Sequence, residues 1–170
     1  MTETKPRNNA STVTLPSDRE IVIERVFDAP RELVFRAYTE PTLIPKWWGQ
    51  RNATTLVDKM DVKPGGLWRF IERDADGNEF AFNGEYREVV PPERLAYTFE
   101  FEGMPGHGLL ETVTFEEQNG KTKVKVLALF DSVEDRDGML RSGMEAGANE
   151  SHDRLAELLV DLQEQSSIRA

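Results

Sequence analysis

The sequence predicts an α+β protein in which a curved antiparallel sheet grips one long C-terminal helix. Two patterns predict this class. Between residues 53 and 130, apolar and polar residues alternate in several short segments, which is the period of half-buried strands. From Gly143 onward, apolar residues recur at spacings of three and four, as in a helix that buries one face. A sheet with one apolar face needs a cover, and this helix provides it.

The first elements are a strand followed by two short helices. Glu20–Asp28 is rich in β-branched residues, and the strand ends before Pro30. Arg31–Thr39 has apolar residues at helical spacing, and Asp28 is the expected N-cap. A second short helix is expected over Pro41–Trp47, because proline is favoured in the first turn.

Turn signals divide the middle of the chain into further strands and predict a sheet of six to seven strands in all. Asp74–Gly77 and Asn119-Gly120 are typical hairpin turns. After a strand that begins near Ala53, the predicted strands are Leu67–Arg73, Glu79–Val89, Arg94–Glu102, Leu109–Glu117 and Lys121–Phe130.

The cover is predicted in two pieces. Val133–Ser142 forms a first helix, and a longer one runs from Gly143 to about Gln163. Its apolar stripe consists of Met144, Ala148, His152, Leu155, Leu159 and Leu162. Between Asp131 and Glu164 the chain holds ten acidic and three basic residues, so this region has a strongly acidic surface.

Composition excludes several classes of protein. The chain has 170 residues, of which 38% are hydrophobic, enough for one domain with a core. Its net charge of −10 argues against nucleic acid as a partner. With no cysteine and two histidines, neither a metal site nor another cofactor is expected. No apolar run is long enough to span a membrane or to act as a secretory signal. We therefore expect a cytoplasmic protein, a monomer or weak dimer.

One ordered domain is expected over residues 19–164. Residues 1–18 are polar and lack periodicity, which indicates a disordered leader. Residues 165–170 are expected to form a flexible tail.

The aromatic residues of the strands point to a binding pocket. Alternation places many of them on the sheet face that meets the long helix. That helix carries unusually small residues, including Gly143, Gly147, Ala148 and Ser151. Large residues facing small ones either let the helix pack very close or leave a space for a ligand.

Two polar side chains share this inward face. His152 lies on the apolar stripe of the helix, and Glu111 has the same parity as its inward-facing strand neighbours. A buried carboxylate is costly unless it is paired. Glu111 therefore either lies at an open rim or has a partner such as His152, Arg69 or a ligand.

Four stretches over residues 20–160 carry a resemblance to a known family. They are Arg25–Pro30 running into Val34–Ala37, Lys46–Gly49, Asp61–Gly66 followed by Trp68–Phe70, and Gly143–Gly147 followed by Asp153–Leu158. The chain resembles the START-like superfamily, also called SRPBCC, Bet v-like or polyketide-cyclase-like. Within it, the chain resembles bacterial homologues of the heat-shock-protein-90 ATPase activator.

The resemblance implies a helix-grip fold with a cavity between the sheet and the long helix. Members bind lipids, polyketides, flavonoid-like or other hydrophobic molecules. This chain departs from the family pattern at Ala148, where a large aromatic is expected, and at His152, where leucine is expected. Both changes favour a roomier and partly polar pocket. The candidate ligand-binding residues are Trp48, Trp68, Phe70, Phe80, Phe82, Tyr97, Phe99, Glu111, Val113, Met144, Ala148, His152 and Leu155.

Three functions follow as hypotheses. The first is non-catalytic binding of a small hydrophobic or aromatic ligand, such as a lipid, polyketide or flavonoid-like molecule. The second is a cyclase or hydrolase with His152 and Glu111 as acid and base. The third, implied by the family alone, is a co-chaperone of the stress response that stimulates an Hsp90-type ATPase, docking through the acidic C-terminal helix.

Overall fold

A computed structural model describes residues 11–169 of the chain, with side chains up to residue 165. Within this range it contains eight strands and four helices. The strands are β1 (Thr12–Thr14), β2 (Glu20–Phe27), β3 (Thr54–Met60), β4 (Leu67–Arg73), β5 (Glu79–Val90), β6 (Arg94–Phe101), β7 (Leu109–Gln118) and β8 (Lys121–Phe130). The helices are α1 (Arg31–Thr39), α2 (Ile44–Trp47), α3 (Val133–Arg141) and α4 (Met144–Arg169).

All eight strands form one antiparallel sheet in the order β1-β2-β8-β7-β6-β5-β4-β3. Strands β3 to β8 form a meander. Strand β2, which precedes them in the chain, pairs with β8 along its whole length. Bulges interrupt the register at Val57/Lys59 and Tyr86/Glu88. Bulges bend strands, so they contribute to the curve that holds α4. The predicted helix-grip fold is therefore confirmed.

The sheet has one strand more than the predicted six to seven, because the expected leader of residues 1–18 is partly ordered. Residues Thr12–Thr14 form β1 and pair with β2, with Val13 opposite Ile23. The strand is short and its two threonines are exposed, so its sequence gave little pattern to detect. Residues 1–10 lie outside the described residues.

The C-terminal helix is longer than predicted. It runs to Arg169, through most of the stretch 165–170 that was expected to be a flexible tail. The first short helix has the predicted bounds, but its N-cap position is Pro30 rather than Asp28, and no side chain caps it. The second begins at Ile44 instead of Pro41, because residues 41–43 form a turn.

The core lies between the inner face of the sheet and the helices. The alternation predicted for β8 is confirmed, since Thr122, Val124, Val126 and Phe130 are all buried. At the predicted hairpin between β7 and β8, Asn119 and Gly120 both have positive φ angles, 54° and 80°. This is the conformation of a tight turn that matches the twist of the strands. The helix α4 thus faces the aromatic side of β4–β8.

Candidate functional site

A cavity of about 470 Å³ lies between the sheet and α4. Its walls come from β2, β4–β8, α1, α2 and the segment that follows α2, together with α3 and α4. Among the residues that line it, Gln50, Ser142 and Gly143 are exposed to solvent. The mouth therefore lies between the segment after α2 and the junction of α3 and α4.

Most of the sequence-predicted ligand-binding residues line this cavity. They are Trp48, Trp68, Phe70, Phe82, Tyr97, Phe99, Glu111, Met144, Ala148 and His152.

Three predicted residues lie elsewhere. Val113 and Leu155 are fully buried in the packed core and do not reach the cavity. Phe80 is 38% exposed near the end of the β4–β5 hairpin, where its ring lies 6.3 Å from that of Phe101. Parity predicted the direction of these side chains but not how far along the strand the cavity extends.

The aromatic wall is a connected set of rings. The Trp48 ring makes edge contacts with Phe70 at 5.2 Å and with Phe82 at 5.3 Å. The Trp68 ring lies 4.8 Å from Phe70 and 5.9 Å from Tyr97. Tilted and edge-to-face contacts of this kind are favourable and orient each ring. The wall therefore presents ring surface to whatever enters.

The helix opposite leaves room. Gly147 and Ala148 both line the cavity, and a Cβ added to Gly147 would meet no atom within 4 Å. Of the two outcomes that the sequence left open, the structure has the second, a remaining space.

Sequence reasoning missed several lining residues. Tyr38 and Trp47 come from α1 and α2, and Glu72 comes from β4. Tyr38 could have been found, because it follows the buried Val34 by four positions on the same helical face. Glu72 had no signal in the sequence; its carboxylate accepts a hydrogen bond from the Gln50 backbone N–H at 2.8 Å, beside the mouth.

Glu111 lies on β7 with its carboxyl group facing the cavity. The Tyr97 hydroxyl donates to its Oε2 atom at 3.4 Å, a long and weak hydrogen bond. Removal from water raises the pKa of Glu111 to about 7, and the Tyr97 hydrogen bond lowers it slightly. This carboxyl group therefore changes its charge near neutral pH.

Of the candidate partners of Glu111, the two side chains Arg69 and His152 bind elsewhere. Arg69 lies instead between Glu102 and Asp58, at 2.7 and 3.2 Å. His152, on α4, has its Nδ1 atom 2.9 Å from the hydroxyl oxygen of Ser11. The partner that the described residues provide is Tyr97.

His152 is a buried neutral imidazole. It is 6% exposed and makes an edge contact with Phe27 at 5.5 Å. Burial, and next to it the positive charge of Arg25, lower the pKa of His152 to about 4. Arg25 is itself paired with Asp153 at 2.8 Å. A neutral histidine of such low pKa is a weak general base.

Several acidic side chains of α4 are paired with other parts of the molecule. Asp153 binds Arg25, and Glu157 forms a salt bridge with Arg51. The Glu150 carboxylate accepts from the Arg51 backbone N–H at 2.8 Å. These contacts therefore neutralise part of the charge of the predicted acidic surface.

Two kinds of feature are not found within residues 11–169. No helix there combines the length and apolar character needed to cross a bilayer. Nor does that part of the chain gather three or more acidic or histidine side chains in a group suited to a metal ion.

Several solved bacterial structures share this fold. A protein from Rhodobacter sphaeroides has a TM-score of 0.85 at 23% identity, covering 90% of this chain and 99% of that one. Protein Ms6760 from Mycobacterium smegmatis has a TM-score of 0.80 at 24% identity, covering 88% and 96%. Protein CV1439 from Chromobacterium violaceum has a TM-score of 0.71 at 28% identity, covering 84% and 98%. No protein with a curated description matches the sequence significantly.

The family model of the "Activator of Hsp90 ATPase homolog 1-like protein" matches residues 28–160. This stretch runs from the end of β2 to the middle of α4 and so includes most of the cavity wall. The resemblance read from the sequence motifs is thereby confirmed. The chain belongs to the family of proteins that are similar to the activator of Hsp90 ATPase.

Proposed function

We propose that this protein binds a small hydrophobic or aromatic ligand, such as a lipid, polyketide or flavonoid-like molecule, in the cavity between sheet and helix. Binding takes place without catalysis. The observation that carries the proposal is the unfilled space of about 470 Å³ between an aromatic wall and the small residues of α4. Its volume falls in the range of small-molecule sites, about 300–1,000 Å³.

The energetic cost of an empty space argues against a closed, dry void. Cavities made in protein cores cost about 24 cal/mol per Å³. A closed and dry void of 470 Å³ would therefore cost on the order of 10 kcal/mol. That is comparable to the whole stability of a typical domain. A cavity that admits solvent or a ligand through its mouth avoids most of this cost.

The experiment uses intrinsic fluorescence, because all three tryptophans of the chain line the cavity. A library of fatty acids, flavonoids and polyketide-like aromatics is titrated into the purified protein. Ala148→Phe places a phenyl ring in the cavity. The matched control is Ala146→Phe, at an exposed position of the same helix that does not line the cavity.

We expect at least one library member to change the emission saturably. Ala148→Phe should reduce the affinity for that ligand at least tenfold, and Ala146→Phe should change this affinity by less than about twofold. If no member binds, or if both variants bind equally well, the proposed function is wrong.

Catalysis by a pair of Glu111 and His152 is not part of the proposal. Both side chains line the cavity, but their hydrogen bonds go to Tyr97 and Ser11 respectively. The low pKa of His152 also disfavours a role as base.

The alternative is a co-chaperone role, which the description of the matched family suggests. Within the described residues, α4 exposes Asp161 and Glu164 beside Val160, which is 54% exposed. An acidic strip with one apolar residue suits a basic protein surface. The test is the ATPase rate of a bacterial Hsp90-type chaperone with and without this protein; an unchanged rate removes the alternative.

A further inference from the structure

The ligand can be specified more closely from the charges that face the cavity. Building on the proposed function, we infer that the ligand carries a protonated amine on a hydrophobic body, and that Glu111 binds this amine as its counterion.

The first observation is the poor pairing of Glu111. Its carboxyl group is half-buried in the cavity wall, and the hydrogen bond from Tyr97 at 3.4 Å is longer than an ordinary O–H···O bond. A buried carboxylate is normally paired with a cation or with several donors. The geometry therefore leaves a place for a strong donor on the cavity side of Glu111.

The second observation is the sign of the charges in the wall. Among the described residues that line the cavity there is no lysine or arginine, whereas two glutamates are present, Glu72 near the mouth and Glu111 inside. The whole chain carries a net charge of −10. A net negative charge attracts cations to the molecule. An anionic ligand would meet like charge in a low-dielectric space without a counterion.

The third observation is the ring surface beside the carboxyl group. The Tyr97 ring is next to Glu111, and the Trp68 ring follows at 5.9 Å from Tyr97. Aromatic faces attract ammonium groups, tryptophan most strongly. A carboxylate bordered by such rings suits an ammonium group attached to an apolar body.

A neutral ligand with a hydroxyl group satisfies these observations less well. It would donate one hydrogen bond to Glu111, but above the pKa of the carboxyl group it would leave the ionised form without a counterion. A protonated amine supplies both the hydrogen bond and the charge.

The test compares three probes with the same ring system: 2-naphthylmethylamine, 2-naphthylmethanol and 2-naphthoate. Their affinities are measured by calorimetry at pH 8. We expect the amine to bind at least tenfold more tightly than the alcohol, and the carboxylate to bind most weakly. Glu111→Gln should reduce the preference for the amine to about twofold and leave the affinity for the alcohol nearly unchanged.

Two controls separate Glu111 from the general charge. Glu116→Gln removes the same charge from an exposed position of β7, outside the cavity. It should preserve the tenfold preference. Glu72→Gln measures the contribution of the glutamate near the mouth and should change the preference less than Glu111→Gln does.

The pH dependence provides a measurement on the unaltered chain. Between pH 8 and pH 5.5, protonation of Glu111 should reduce the affinity for the amine at least fivefold. The affinity for the alcohol should change little. His152 remains neutral throughout, because its pKa is lowered to about 4. Tyr38, Tyr86 and Tyr97 also remain neutral, because burial raises their pKa values. The remaining titratable group of the described wall, Glu72, is tested by its own variant.

The outcomes distinguish this inference from the proposed function. If the alcohol binds as tightly as the amine, or if the carboxylate binds best, the cavity is a ligand site but the inference is wrong. If Glu111→Gln keeps the full preference, the counterion is not Glu111 and the inference is also wrong. If a library member binds but the naphthyl amine does not, the inference is wrong. If nothing binds at all, the proposed function itself fails.

Discussion

The Ser151 hydroxyl holds the backbone of Gly49 by two hydrogen bonds. It accepts from the Gly49 N–H at 3.2 Å and donates to the Gly49 carbonyl oxygen at 3.1 Å. Gly49 has a φ angle of +97°, and a Cβ there would come within 2.7 Å of the Glu72 carboxylate. The contact ties α4 to the segment after α2, which forms one side of the cavity mouth.

Loss of the Ser151 hydroxyl should loosen this side of the mouth. Ser151→Ala removes two hydrogen bonds, and we expect the free energy of unfolding to fall by about 1–2 kcal/mol. Chemical denaturation measures this change. Ser17→Ala, at an exposed position before β2, is the control and should cost under about 0.5 kcal/mol. Equal effects of the two variants would contradict the role of the contact.

Lysine should not replace the stabilising hydrogen bonds of Arg154, which binds the same segment as Ser151. Its guanidinium donates to the carbonyl oxygens of Gly49 at 3.0 Å and of Lys46 at 3.2 Å. The same group also reaches the carbonyl oxygens of Trp48, Gln50 and Pro45. A lysine ammonium cannot span this set, because it is a single point charge. We expect Arg154→Lys to destabilise by about 2 kcal/mol in urea denaturation; full stability in the lysine variant would contradict this account.

Gly84 should tolerate no side chain. It lies on β5, where an added Cβ would be 1.8 Å from the Thr98 carbonyl oxygen and 2.5 Å from the Trp68 Nε1 atom. That nitrogen donates to the same carbonyl at 3.2 Å. Gly84→Ala should therefore displace Trp68 from the cavity wall and cost about 3 kcal/mol. A matched Gly77→Ala is not suitable because Gly77 has a φ angle of +85°.

The control for Gly84 is Gly138→Ala in α3. A Cβ at Gly138 meets nothing within 4 Å, and its backbone is helical. Alanine is favoured over glycine in a helix by about 1 kcal/mol. Denaturation should therefore show a gain for Gly138→Ala and a loss for Gly84→Ala. A loss of under 1 kcal/mol for Gly84→Ala would contradict the close approach.

Glu111 should make the folded state less stable as pH rises. Burial raises its pKa from 4.5 to about 7, so the folded state binds a proton that the unfolded state has lost. The unfavourable contribution grows between pH 4.5 and 7, up to about 3 kcal/mol, and is then constant. Glu111→Gln should remove it. The difference in unfolding free energy between variant and unaltered chain, measured from pH 4 to 8, should rise over this window; a flat difference contradicts the burial of the charge.

His152 should act in the opposite direction over nearly the same interval. Its pKa is lowered from 6.5 to about 4, so the unfolded state gains a proton first as pH falls. Stability is therefore lost between pH 6.5 and 4. The unfolding free energy of His152→Leu minus that of the unaltered chain should therefore increase as pH falls. The two groups partly cancel in the unaltered chain, so single variants are needed to reveal either one.

Sequence patterns predicted most elements of this fold because those elements have a clear period. The alternation of β8 and the spacing of α4 identified both walls of the cavity, and the Asn119-Gly120 pair marked its hairpin. Strand β1 was missed because three residues are too few for a period.

The site was predicted less completely. The direction of a side chain does not determine the volume of the cavity or how far along a strand the cavity extends. The alternation along the strands placed Trp68, Phe82 and Tyr97 on one face of the sheet. It could not distinguish Phe82, which lines the cavity, from Phe80, which lies outside it. The contact between His152 and Ser11 joins residues 141 positions apart, one of them in the expected leader. Local patterns carry no information about such a pair.

Amide NMR of the labelled protein, titrated with the tightest ligand of the library, tests the central claim most directly. We expect the largest shifts on both walls of the cavity, at Trp68, Phe82 and Tyr97 of the sheet and at Met144 and His152 of α4. Small or absent shifts there, together with shifts confined to the exposed acidic face of α4 around Asp161 and Glu164, would contradict a ligand pocket and favour a surface that binds another protein.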